Sequence, residues 1–101
     1  MEYNDNKLSL YCGQGGKCAV SGQPLEIGFM HCHHIRPIKF SGGDEYANLI
    51  YVSDTVHKLL HATTEETTRS LMYELKLDRK QIAKLNKYRA VLELSEIQVF
   101  L

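Results

Sequence analysis

The five histidines of this chain all fall between residues 31 and 61, at His31, His33, His34, His57 and His61, with Asn48 between the two groups. No other feature restricts the fold as much. His57 and His61 stand one helical turn apart, so a helix through them presents both imidazoles on one side. His33 and His34 end a stretch that reads as extended. If imidazoles concentrated in this way serve one site, that strand end must pack against that helix.

The surrounding sequence supplies both elements. Residues 18–35 read as two short strands broken by the turn signal Ser21-Gly-Gln-Pro24, the second running from Leu25 to Ile35. Pro37 disfavours helix at Arg36, Ser41-Gly-Gly-Asp44 is a loop, and Asn48 to Val52 reads as a buried strand. Ser53 or Asp54 caps a helix over 54–62 whose Val56, Leu59 and Leu60 form its apolar side. A second helix starts near Thr64, with Glu65 and Glu66 in its first turn, and a third near Asp78, where Gln81 completes a capping box. Leu71, Met72 and Leu75 on the one, and Ile82, Leu85, Tyr88 and Leu92 on the other, have the spacing to pack on the ββα unit. Residues 1–17, with Gly13-Gln-Gly-Gly16, read as an irregular tether. They lack the spacing of a phosphate loop. Residues 94–101 are apolar and ambiguous. The expectation is an α+β domain with a core over 18–62 and a C-terminal helical extension over 63–101.

At 101 residues the chain is one domain with a modest core. Lys plus Arg equals Asp plus Glu at 12 each, so no global field draws the chain to a polyanion. Charge is nevertheless segregated. Residues 76–89 carry six cations against Asp78 alone, and Lys80, Lys84 and Lys87 line one stripe of the third helix. Cys12, Cys18 and Cys32 form no CxxC pair, which fits neither a disulfide framework nor a four-thiolate zinc site, and a reducing cytoplasm is expected. Cys32 reads as a small buried residue. No apolar run approaches the roughly 20 residues that span a bilayer, so no membrane partner is expected.

The chemistry follows from the residue types. Imidazoles from His33, His57 and His61 can hold one divalent ion and leave coordination positions open, as hydrolytic metal chemistry requires. His34, next on the strand, projects to the other side and is the candidate general base, deprotonating a water that attacks phosphorus. Asn48 has no acid–base chemistry, and its amide suits it to pinning the loop that fixes the His34 ring. Arg36 and Lys39, beside the site, are the nearest candidates for phosphate contact, with Lys80, Lys84 and Lys87 as a more distant grip. His31 reads as a supporting residue.

The pattern HH-x13-N-x8-H-x3-H, with Ser41-Gly-Gly43 in its loop, closely resembles the HNH, or ββα-metal, endonucleases. A narrower likeness runs from the Lys17–Gly22 string through Met30–His34 and Val56–Ala62 to Lys84–Arg89. It resembles the C-terminal endonuclease region of bacterial group II intron reverse transcriptase/maturase proteins. That resemblance implies a small ββα-metal core with two added C-terminal helices and a fragment of a longer multidomain protein. It further implies nicking of double-stranded DNA to leave a 3′-hydroxyl that primes reverse transcription, with intron RNA reached through the full-length protein. The resemblance and cellular abundance favour Mg²⁺ or Mn²⁺, whereas three imidazoles favour Zn²⁺, Ni²⁺ or Co²⁺ by affinity. Two departures stand out. Where many relatives carry two CxxC pairs, this chain has Cys18, Ser21, Ser53 and Val56, so no structural zinc knuckle is expected, and His31 stands where many carry glutamate. The alternatives are a stand-alone nicking or restriction nuclease, and a non-catalytic, metal-stapled nucleic-acid-docking module.

Overall fold

Short-range hydrogen bonds decide where the last three helices of this chain begin. In the computed structural model, which describes residues 2–98, the order is α1 (Glu2–Gly13), β1 (Met30–His34), β2 (Leu49–Ser53), α2 (Asp54–His61), α3 (Glu65–Leu75) and α4 (Arg79–Val91). Ser53, Thr64 and Asp78 each accept a backbone N–H from three residues onward, which satisfies an otherwise orphaned donor at the start of α2, α3 and α4. Gln81 returns the favour to the Asp78 backbone, completing the capping box.

β1 and β2 pair antiparallel from Met30 opposite Ser53 to His34 opposite Leu49. The four residues Leu49 to Val52 are all buried, while β1 carries the histidines and only His33 is buried on it. Leu49 and Val52 join Val56, Leu59 and Leu60 of α2 and Leu85 of α4 in a solvent-free centre. Leu71, Met72, Leu75 and Tyr88 pack around it, half-buried. The result is an α+β fold with, among the described residues, four helices and one two-stranded sheet.

Two expectations need correction. The irregular tether of residues 1–17 is largely α1, because Leu10 is buried in the core and Gln14 closes the outer edge of β2. The Gln14 amide receives the Tyr51 N–H at 2.8 Å and donates to the Tyr51 carbonyl at 3.0 Å, standing where a third strand would pair. The two strands expected over residues 18–35 reduce to β1. Cys18 and Gly22 close a turn through Cys18 N–H to Gln23 O and Gly22 N–H to Cys18 O, leaving only an isolated Lys17–Pro24 bridge. A second turn, Phe29 N–H to Glu26 O with Gly28 at φ +92°, delays the strand until Met30. Residues 94–98 are irregular, with Ile97 buried and tied to Asn86 by two hydrogen bonds. Val99, Phe100 and Leu101 of that apolar stretch lie outside the described residues. No described helix is long and apolar enough to cross a membrane.

Candidate functional site

The site is where the end of β1 meets one side of α2. Packing Val56, Leu59 and Leu60 inward leaves His57 and His61 on the flank that faces β1. One nitrogen each from His33, His57 and His61 lies within 4.8 Å of the others. The His33 ring stands edge-on to both helical rings, with centroids 5.7 Å from His57 and 5.5 Å from His61.

His33 tests whether these residues suit a metal. Its side chain is buried, and its Nε2 has no hydrogen-bond partner. An unpaired buried polar atom costs about 1–3 kcal/mol, which coordination would recover. Burial, helped by the neighbouring His61, His57 and His34, pushes His33 down to about 4. His57 is lowered by burial and then by His61 and His31, and His61 by burial and then by Arg89 and Lys39. All three rings are therefore neutral near pH 7, the form that donates a lone pair to a cation. The donors fit a divalent transition metal, and among the described residues the cluster contains three ligands rather than a closed four.

His34 sits beside the cluster and outside it. Its Nε2 lies 2.8 Å from Asp44 Oδ1, and because an ionised carboxylate only accepts, Nε2 is the donor. His33 and His34 both border an open cleft of about 270 Å³, and of the two His33 is the one that brings a nitrogen to the cluster. Half-buried Cys32 lines the same cleft. Asn48 holds both ends of the intervening loop. Its Oδ1 accepts the Arg36 N–H at 2.8 Å, and its Nδ2 donates to the carbonyls of Arg36 at 3.0 Å and Gly43 at 2.8 Å. Gly42 lies so close to the Arg36 carbonyl that any Cβ there would collide with it, which accounts for the glycine at 42.

No family model, curated protein or solved structure matches this chain. Its chemistry rests on its own residues.

His31 is set apart from the trio. Its ring stacks on His57 at 4.4 Å and its Nε2 meets Asp54 Oδ1 at 2.8 Å, an arrangement that props the His57 ring from behind. The His31 ring and the Lys58 ammonium together hold the Asp54 carboxyl below its ordinary value. Arg36 and Lys39 are exposed at the cleft's edge, and Lys39 stands close enough to His61 to influence its proton affinity. The α4 stripe is divided. Lys80 and Lys87 are exposed, whereas the Lys84 ammonium donates to the Ala19 carbonyl at 2.6 Å and ties α4 to the 18–22 turn. In that turn Cys18 Sγ accepts the backbone N–H of Ser21 and of Ser53, each at 3.5 Å, so the thiol serves as a junction between the turn and the end of β2.

Two residues with structural consequence escaped the sequence reading. Asp44, ten residues from its partner, carries no periodic signal. Arg89 reads as one more cation of the basic helix but is 3 % exposed. Its guanidinium donates to the carbonyls of Leu59 and Ala62 at 2.9 Å and of Leu60 at 3.3 Å, and its Nε to Ser95 at 2.9 Å. The Leu59, Leu60 and Ala62 carbonyls close the C-terminus of α2 beside the turn that carries His61, and Leu59 O takes the Ala62 N–H at 3.3 Å as well.

Proposed function

We propose that this chain is a metal-dependent DNA endonuclease of the HNH, ββα-metal class. One observation carries the reading: a buried, partnerless imidazole nitrogen on His33 is gathered with nitrogens of His57 and His61, while the adjacent His34 is paired to a carboxylate at the same cleft.

In this reading His34 takes a proton from a water whose oxygen attacks phosphorus, and Asp44 keeps the ring in register by accepting the Nε2 proton. As the new P–O bond forms, the bond from phosphorus to the 3′ oxygen breaks, leaving a 5′-phosphate and a 3′ oxyanion that takes a proton from solvent to become the 3′-hydroxyl, and His34 returns its proton to solvent. Arg36 and Lys39 draw the phosphate to the cleft, and Asn48 prevents the loop that carries them from drifting. His33, His57 and His61 would hold a divalent ion, which would supply Lewis-acid charge at the cleft. The three-ligand set favours this catalytic role over a purely structural metal, which ordinarily closes its sphere with a fourth protein ligand.

The narrower proposal is that the domain serves group II intron mobility as the endonuclease portion of a reverse transcriptase/maturase, with target DNA as substrate and intron RNA bound elsewhere in the longer protein. It is supported by the likeness of the residue strings around the motif and in α4.

A supercoiled-plasmid nicking assay across Mg²⁺, Mn²⁺, Ni²⁺ and Zn²⁺ tests the activity. We expect open-circle product in at least one ion, its loss on chelation with the fold retained, and a fall of about 10²–10⁴ in rate for His34→Ala. Equal rates for His34→Ala and the parent would remove His34 from the mechanism. Unfolding on chelation would point to a structural ion instead.

A further inference from the structure

A tightly held loop beside the histidines leaves one aliphatic side chain in water. Ile38 is 76 % exposed, directly after Pro37 at the start of the 3₁₀ turn Ile38–Phe40. The turn is fixed from several directions. Phe40 and Gly42 both donate to the Pro37 carbonyl at 2.9 Å, Ser41 donates to Ile38 O at 2.9 Å, and Asn48 anchors Arg36 just upstream. A β-branched side chain on so constrained a backbone has little freedom left to lose on contact.

Its setting indicates what it meets. Ile38 borders the cleft that also holds His33, His34, His57 and His61. The Pro37–Ile38 pair is bracketed by the exposed cations Arg36 and Lys39. Ile27 is equally bare at 86 %, yet it follows Glu26 in the turn before β1 and takes no part in this cleft. The Arg36 guanidinium donates to the Phe40 carbonyl at 3.4 Å and the Lys39 ammonium stands 5.1 Å from the Phe40 ring centroid, so both cations are held on the same short turn as the exposed aliphatic tip. An aliphatic tip accompanied by cations is complementary to a polymer whose apolar base stack runs between two rows of phosphate.

We propose that Ile38 is a wedge that enters a base-pair step of duplex DNA while Arg36 and Lys39 engage the phosphates on either side, opening the step at which the histidine cleft acts. The inference rests on the nuclease reading and gives it a substrate class. The favoured targets are duplexes containing a step that unstacks readily, such as a pyrimidine–purine step or a mismatch, over stiff A-tracts.

The test uses the full chain and two matched duplexes, one with a central TA step and one with a central A-tract, alongside the Ile38→Ala and Ile27→Ala variants. Nicking is expected to favour the TA duplex by about tenfold, the ratio that corresponds to ~1.4 kcal/mol of deformation energy. Ile38→Ala should bring the two rates within about twofold of each other, and Ile27→Ala should retain the parental ratio. In a His34→Ala background, 2-aminopurine placed at the TA step should brighten on saturating binding with Ile38 present and stay dim with Ile38→Ala. If the parent nicks but Ile38→Ala keeps both its ratio and its fluorescence response, the wedge is overturned while the nuclease reading stands, and the exposed isoleucine belongs to a protein contact. If the parent nicks in none of the ions, the nuclease reading fails and takes the wedge with it.

Discussion

The His34–Asp44 contact is made near the surface, with side chains 25 % and 50 % exposed, and that exposure limits its worth. On the proposed nuclease reading Asp44 orients a ring rather than storing stability, so its removal should be felt in turnover. Asp44→Asn is expected to lower kcat about tenfold with KM little changed, and Asp44→Glu to recover part of the loss, in the plasmid assay. His33 makes the opposite case, since it is buried and its effect is on stability. The unfolded chain titrates near the ordinary histidine value of about 6.5, and folded His33 near about 4. Between those values the unfolded state binds more protons, so the metal-free protein is most stable above the window and loses stability as pH falls through it. Urea midpoints measured with chelator at about pH 7 and about pH 5 should show this decline, and His33→Leu should flatten it. The histidine pattern was legible because fixed spacing in a strand and a helix dictates direction. Asp44 was not, because a loop residue has no period and meets His34 only once the Asn48-pinned turn is closed.

Elements of the C-terminal half were readable for a comparable reason: Ser53, Thr64 and the Asp78–Gln81 pair each act within a single turn of their own helix. α1 was not readable. Its helical state depends on the burial of Leu10 and on Gln14 reaching 37 residues along the chain to Tyr51, contacts that no local window contains. The same holds for the strand lost before Met30, where two turns closed by backbone hydrogen bonds override a plausible alternation. α2 also depends on a distant residue, and Arg89 should be its most sensitive point. Arg89→Ala removes the side-chain donor from three carbonyls at the helix end, of which Leu59 O keeps the Ala62 N–H, and is expected to cost about 2–4 kcal/mol. It should weaken Co²⁺ binding, followed by visible absorption, because His61 sits in the turn that loosens. Arg89→Lys should recover only part of the loss, since an ammonium placed where the α2 carbonyls converge on Nη1 leaves the Ser95 carbonyl, which Nε holds, without its donor.

At the scale of the molecule, net neutrality with segregated charge predicts weak, salt-sensitive binding to DNA. If the exposed α4 lysines join the interface, replacing Lys80 and Lys87 together by alanine should weaken binding evenly across sequences and reduce the slope of log K against log salt by about 2. An unaltered slope would take the stripe out of the interface. Lys84, committed to Ala19, is expected to act on stability instead. The order of the chain adds one more consequence. The guanidinium that finishes the helix bearing His57 and His61 comes from a position 28 residues past His61 in the sequence. A ribosome extending this polypeptide therefore releases His33, His57 and His61 before the guanidinium that closes the helix bearing two of them, so the three rings take their final places only once residue 89 has emerged.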